Sequence, residues 1–143
     1  MNRVELSEQN NQSYFRGQAF SGDSLDPEFQ EIARRFLCGE VLSRDALSHP
    51  QKMLIALTAL TASQTLSMIS QYTLAALDAG AAPEEIKETL YQCVPYIGLA
   101  KVQCALDEVN KAFQSAGIPL PTKILSLHFA RIHSHGKYKI LDI

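Results

Sequence analysis

Apolar residues recur at helical spacing through most of the chain, and no useful length alternates between apolar and polar positions. The pattern therefore predicts an all-α fold of about six helices. Asp26 and Pro27 suit the cap and the first turn of a helix, so we expect a helix to begin there. Its apolar face ends near Gly39, which we expect to stop the helix.

Two helices in the middle of the chain are strongly apolar. The first begins near Ser48, and residues 53–62 are apolar on nearly every side, so we expect this helix to be central and enclosed. The second covers residues 65–79 and has a single apolar face.

A joint between two helices follows at Gly80, which suits the end of one helix, and at Pro83, which suits the start of the next. Two glutamates in the new first turn match the positive end of the helix dipole. We expect this helix to reach Tyr96 with a kink at Pro95, and a last helix to cover residues 99–116.

The pattern divides the chain into an N-terminal arm (residues 1–23), a helical domain (24–117) and a basic C-terminal tail (118–143). The arm is polar apart from a few aromatic residues, among them Tyr14 and Phe15, which we interpret as groups that dock on a neighbouring subunit. The whole chain carries a net charge of −2, so a general nucleic-acid role has no electrostatic support.

The three cysteines do not make a disulfide framework, and no apolar segment is suited to be a signal peptide or to span a bilayer. We therefore expect a reduced, cytoplasmic protein without membrane partners. We interpret Cys38, Cys93 and Cys104 as small apolar packing residues. His133 and His135 of the tail lack the further ligands of a metal site, so we expect no metal and no other cofactor.

A few polar residues have two possible roles. Arg44 either forms an ion pair with Glu40, four residues earlier, or holds the carboxylate of a substrate. Tyr72 and Tyr96 lie in otherwise apolar helices, where each either satisfies a buried hydrogen bond or points its hydroxyl group into a pocket.

Four runs of residues stand in a specific order: 39–47 (GEVLSRDAL), 76–80 (ALDAG), 85–90 (EIKETL) and 96–98 (YIG). Together they resemble the carboxymuconolactone decarboxylase family and its alkylhydroperoxidase D relatives, over roughly residues 14–113. The resemblance implies an alkylhydroperoxidase D-like helical bundle that assembles into homo-oligomers, either trimers or hexamers. It also implies an active pocket among the central helices near a subunit interface.

The resemblance assigns positions to this pocket. The places where peroxidase members carry two cysteines, a histidine and a glutamate are occupied here by Thr65, Met68, Tyr72 and Met53. Decarboxylase-like members keep the histidine, and a family arginine corresponds to Lys52. The resemblance therefore implies a pocket without redox thiols.

We expect a family member that binds or acts on a small lactone or carboxylic acid, and that is a lyase if it is catalytic. The candidate catalytic residues are Tyr72, as an acid, and Arg44, which would stabilise a carboxylate or an enolate. The candidate substrate-binding residues are Glu40, Lys52, Met53, Thr65, Met68 and Tyr96. Two alternatives stay open: a thiol peroxidase that uses the displaced Cys93, and a non-catalytic oligomeric binding protein.

Overall fold

The computed structural model describes residues 1–20 and 25–122, and within these residues it contains helices and no strand. The all-α prediction is therefore confirmed. The helices of the described residues are α1 (Arg3–Phe15), α2 (Pro27–Phe36), α3 (His49–Ser63), α4 (Leu66–Asp78), α5 (Pro83–Tyr91), α6 (Val94–Ile97) and α7 (Leu99–Ser115). A π-helical turn, Leu37–Val41, directly follows α2.

The core is built around α4, which packs against α3, α7 and α1. Side chains from α3, α4, α5 and α7 are completely buried there, among them Leu57, Ile69, Leu90, Val109 and Phe113. Full burial of one such side chain stabilises the folded state by about 1.5–3 kcal/mol. The apolar faces that the helical spacing predicts thus meet in a common core.

Local signals determine the ends of the central helices as predicted. The Ser48 hydroxyl accepts a hydrogen bond from the Gln51 amide, and the Gln51 side chain accepts one from the Ser48 amide. Gly80 follows α4 with a φ of +99°, a left-handed conformation that glycine adopts without steric cost. Helix α5 then begins at Pro83, and the Glu85 carboxylate accepts a hydrogen bond from the backbone just before the helix.

Gly39 does not stop a helix, so that prediction is wrong. It lies inside the π-helical turn, and its backbone closely approaches the start of α1. A Cβ atom at this position would lie 3.1 Å from the Arg3 carbonyl oxygen and 3.3 Å from the Ser7 Cβ atom. The glycine therefore permits a tertiary contact instead of ending a helix.

Two further predictions about helix shape are wrong. The helix that we expect to reach Tyr96 is two helices, α5 and α6, because the chain turns at Gln92 and Cys93. Pro95 stands in the first turn of α6, where its missing amide costs no hydrogen bond. Helix α3 is not enclosed on every side, since Ile55 is 55% exposed.

The N-terminal segment forms helix α1. Asn2 caps this helix, because its side-chain oxygen accepts hydrogen bonds from the Val4 and Glu5 amides. Tyr14 and Phe15 are only 1% and 5% exposed, since they pack into the core of their own chain. The interpretation of these two aromatic residues as docking groups for a neighbour is therefore wrong.

The remaining helix predictions agree with the structure. The predicted helices over residues 65–79 and 99–116 correspond to α4 and α7 within one residue at each end. Within residues 1–20 and 25–122, no helix has the length and apolar character needed to cross a membrane. Residues 123–143 of the predicted tail, with His133 and His135, lie outside the described residues.

We expect Gly39→Ala to lower the free energy of unfolding by about 1–3 kcal/mol, because the added methyl group meets the backbone of α1. Helix propensity alone predicts the opposite sign, since alanine is favoured over glycine by about 1 kcal/mol. Urea unfolding followed by circular dichroism measures the change. The exposed Ser67→Ala on α4 is the control and should shift stability by less than about 0.5 kcal/mol. A stabilised Gly39→Ala variant would contradict the contact.

Candidate functional site

A cavity of about 380 Å³ lies between the π-helical turn, the segment after it, α3 and α4. We call it the α3–α4 cavity, and its volume is typical of small-molecule sites. Its wall is mainly aliphatic and carries three polar side chains, those of Arg44, Lys52 and Tyr72. The other lining residues are Leu37, Val41, Leu42, Ala46, Leu47, Met53, Ile55, Ala56 and Ala59.

Lys52 is held at the cavity wall by two oxygen atoms. Its ammonium group donates a hydrogen bond of 2.8 Å to the Leu42 carbonyl oxygen and a longer one of 3.4 Å to the Tyr14 hydroxyl. An ammonium group has three N–H donors, so one donor stays available for a ligand. Lys52 therefore offers a positive charge in a defined position.

Tyr72 projects from α4 into the cavity lining and is only 7% exposed. Burial raises the pKa of its phenol to about 12, so the hydroxyl group is neutral at physiological pH and can donate a hydrogen bond. Among the described residues this hydroxyl has no hydrogen-bond partner. The Tyr72 ring meets the Phe15 ring edge-on, with 5.2 Å between the centroids.

Arg44 lies in the segment after the π-helical turn, where it lines the cavity and is exposed to solvent. It does not pair with Glu40, which forms an ion pair with Arg3 instead. The prediction of an ion pair between Arg44 and Glu40 is therefore wrong, because the packing of α1 brings Arg3 to Glu40. Within residues 1–20 and 25–122, the Arg44 guanidinium has no ion-pair or hydrogen-bond partner. It can bind a carboxylate with two parallel hydrogen bonds.

The structure thus brings together four of the eight residues that the sequence indicates for the site. Tyr72, Arg44, Lys52 and Met53 line the α3–α4 cavity. The other four are located away from its lining. Glu40 pairs with α1, Thr65 precedes α4 and hydrogen-bonds Ser63, Met68 packs partly buried against the core, and Tyr96 is 85% exposed on α6.

The cysteines do not line the α3–α4 cavity. Burial raises the pKa of the Cys38 thiol to about 11, which opposes thiolate formation at neutral pH. Burial also raises the pKa of Cys93, although the nearby Thr58 hydroxyl partly counters this effect. The Cys93 thiol donates a hydrogen bond to the Thr89 carbonyl oxygen. Both residues pack in the core as expected, whereas Cys104 is exposed, so the packing interpretation is wrong for that residue.

Sequence reasoning missed two groups behind the cavity wall, the Leu42 carbonyl oxygen and the Tyr14 hydroxyl. A backbone carbonyl has no sequence signal of its own. Tyr14 does stand out as an aromatic residue in a polar segment, but only the packing of α1 shows that it reaches Lys52.

Comparison with known proteins supports the likeness of this chain to one family. The model of the carboxymuconolactone decarboxylase family matches residues 27–111, which is more than half of the chain. The 4-carboxymuconolactone decarboxylase of Acinetobacter baylyi is 28% identical to this chain over 102 residues, which cover 71% of this chain and 75% of that protein. The residues that line the α3–α4 cavity fall within the family match, whereas α1 lies outside it.

We expect Tyr72 to make stability fall at alkaline pH. Its pKa is raised from 10.0 to about 12, so between these values the unfolded chain loses the proton that the folded chain keeps. The loss reaches about 1.4 kcal/mol by pH 11, and Tyr72→Phe should remove it. Urea unfolding at pH 9 and pH 11 measures the effect, with the exposed Tyr96→Phe as a control that keeps the wild-type dependence. If the wild type and Tyr72→Phe lost the same stability between pH 9 and pH 11, the raised pKa of Tyr72 would be refuted as the cause.

Proposed function

The chain belongs to the carboxymuconolactone decarboxylase family, and on that premise we propose that it acts on a small lactone or carboxylic acid in the α3–α4 cavity, without redox chemistry. The observation that carries this proposal is the composition of the cavity wall. Aliphatic side chains form most of it, and Arg44 and Lys52 place two cationic groups at its edge. Such a wall suits a ligand with a small apolar body and a carboxylate.

The two cations would share the recognition of the ligand. Lys52 has one N–H donor left after its bonds to the Leu42 carbonyl oxygen and the Tyr14 hydroxyl. The Arg44 guanidinium is exposed and offers a planar pair of donors. Because the remaining wall is apolar, a carboxylate in the cavity would exchange its water for these charged donors.

The name of the Acinetobacter baylyi protein describes loss of carbon dioxide from a lactone that carries a carboxyl group. In such a reaction the bond between the ring carbon and the carboxylate breaks, and its electron pair remains on the lactone as an enolate. A cation near the lactone oxygen stabilises this charge, which is the role proposed for Lys52 or Arg44. Tyr72, neutral because its pKa is about 12, would donate a hydrogen bond to the enolate or return a proton to the ring.

Thiol peroxidase chemistry, the alternative function, receives less support from the structure. It needs a thiolate at an accessible site, whereas burial raises the pKa of the Cys38 and Cys93 thiols. Neither of these cysteines lines the α3–α4 cavity. A non-catalytic binding protein would use the same cavity and is separated from an enzyme only by turnover.

We expect a carboxylated γ-lactone, 5-oxotetrahydrofuran-3-carboxylate, to bind more tightly than the neutral γ-butyrolactone in calorimetric titrations. Arg44→Gln and Lys52→Gln should each weaken binding of the carboxylated lactone by about tenfold, the effect of losing one hydrogen bond to a charged group. Binding of the neutral lactone should change little. The exposed Lys101→Gln on α7 removes one positive charge away from the cavity and is the matched control.

Two outcomes would count against the proposal. One is equal weakening by Lys101→Gln and by the cavity variants, which would indicate a general effect of net charge. The other is consumption of a hydroperoxide with a dithiol reductant that disappears in Cys93→Ser, which would favour the peroxidase alternative. We expect Cys93→Ser to bind the carboxylated lactone as the wild type does.

We also propose that the protein assembles with copies of itself as a trimer or a hexamer. Helix α2 supports this proposal, since none of its side chains is buried and its apolar residues Phe29, Ile32 and Phe36 are 57–64% exposed on one face. The π-helical turn that continues α2 lines the α3–α4 cavity, so a copy seated on α2 would lie close to the cavity.

Sedimentation velocity tests this assembly. We expect the wild type to sediment as a trimer or hexamer, and Ile32→Ser combined with Phe36→Ser to shift it toward smaller species because the apolar face is lost. Leu99→Ser changes an apolar residue that is 75% exposed outside α2 and serves as the control. A wild-type protein that stays monomeric up to high concentration would rule out the assembly.

A further inference from the structure

We propose that Tyr14 is a positioning residue for the candidate site, because its hydroxyl holds the Lys52 ammonium group in the place where it meets a ligand carboxylate. The identity of the ligand in this inference rests on the proposed function, whereas the contact between Tyr14 and Lys52 does not depend on it. It assigns a role in the site to helix α1, which lies outside the residues matched by the family.

The position of the Lys52 ammonium group is defined by two acceptors on different elements. The Leu42 carbonyl oxygen comes from the segment after the π-helical turn and accepts at 2.8 Å. The Tyr14 hydroxyl comes from the end of α1 and accepts at 3.4 Å. A lysine side chain has four flexible bonds, so a single acceptor would leave the ammonium group several possible positions. A second acceptor reduces their number. The third N–H donor is then directed by the first two.

Tyr14 is itself held firmly enough for this role. The residue is 1% exposed, and its ring lies 4.6 Å from the ring of His49, which stands one helical turn before Lys52 on α3. Helix α1 is attached to the elements that line the cavity from its middle and from its C-terminal end. The Asn10 side chain donates to the Cys38 carbonyl oxygen of the π-helical turn (2.7 Å).

At its C-terminal end, α1 is attached to α4. Arg16 directly follows α1 and forms two hydrogen bonds of 2.6 Å with the Asp78 carboxylate. Phe15 packs edge-on against the Tyr72 ring. Helix α1 therefore contacts two of the three polar groups of the cavity from behind. Tyr14 does not line the cavity, so it acts on a ligand only through Lys52.

The contact can be tested without any ligand by competitive acetylation with trace acetic anhydride, read for each lysine by mass spectrometry. The two acceptors hold the Lys52 ammonium group against the protein and restrict its access to the reagent, so Lys52 should react more slowly than the exposed Lys101 in the wild type. Tyr14→Phe keeps the ring and removes the hydroxyl group. We expect it to raise the ratio of Lys52 to Lys101 acetylation about two- to fivefold. Tyr96→Phe, the same change at an exposed tyrosine, should leave the ratio unchanged.

The effect on the ligand is measured by calorimetry with the two lactones. We expect Tyr14→Phe to weaken binding of 5-oxotetrahydrofuran-3-carboxylate about two- to fivefold and to leave γ-butyrolactone binding unchanged. A Lys52→Met background should abolish the effect of Tyr14→Phe, since a positioning residue has no influence once its target is gone. Thermal unfolding of each variant verifies that it is folded.

The outcomes separate this inference from the proposed function. A raised acetylation ratio in Tyr14→Phe, together with no binding of either lactone by the wild type, would leave the positioning contact standing and remove the proposed ligand. An unchanged acetylation ratio would overturn the positioning role, whatever the lactones do. Equal weakening of both lactones by Tyr14→Phe would also overturn it, because that result indicates a general effect on the fold.

Discussion

The close contact between helix α1 and the π-helical turn is the constraint on which the candidate site depends. Gly39 permits it, because any side chain at this position would meet the backbone of Arg3. The turn that is pressed against α1 on one side supplies Leu37, Val41 and the adjoining Leu42 to the cavity on the other. The same helix carries Tyr14 and Phe15 to the back of Lys52 and Tyr72. One packing contact thereby determines both a wall of the cavity and the placement of its polar groups.

The candidate site combines positive charge with an apolar wall, and each cation meets polar partners in a different way. A charged group away from water is costly unless it is hydrogen-bonded, and Lys52 meets this condition through the Leu42 carbonyl oxygen and the Tyr14 hydroxyl. Arg44 meets it differently, because it remains exposed to solvent. The two cations thus differ in freedom: Lys52 is held in place, whereas Arg44 can adjust to the shape of a ligand.

Tyr72 gives the cavity a different chemistry from that of a thiol enzyme. A phenol with a pKa of about 12 is a hydrogen-bond donor at neutral pH, and it is a poor source of the anion that a nucleophile or a base would need. The cysteines lie elsewhere, and burial raises the pKa of the Cys38 and Cys93 thiols. The α3–α4 cavity thus presents a phenol and two cations, and none of the three cysteines lines it.

The sequence by itself determined the all-α fold and the ends of the central helices, because helical spacing, the Ser48 cap, the turn at Gly80 and the start at Pro83 act within a few residues. The family resemblance then directed attention to positions such as Tyr72, which does line the cavity. Only the tertiary structure decided which side chains share that cavity.

The clearest examples are contacts between segments far apart in the chain. Glu40 pairs with Arg3 instead of Arg44, and Gly39 serves a close approach instead of a helix end. Tyr14, which the sequence suggests as a group that docks on a neighbouring subunit, is buried behind Lys52 in its own chain. Local spacing describes one helix at a time, whereas these contacts depend on how α1 packs across the π-helical turn and α4, and that arrangement is a property of the folded chain alone.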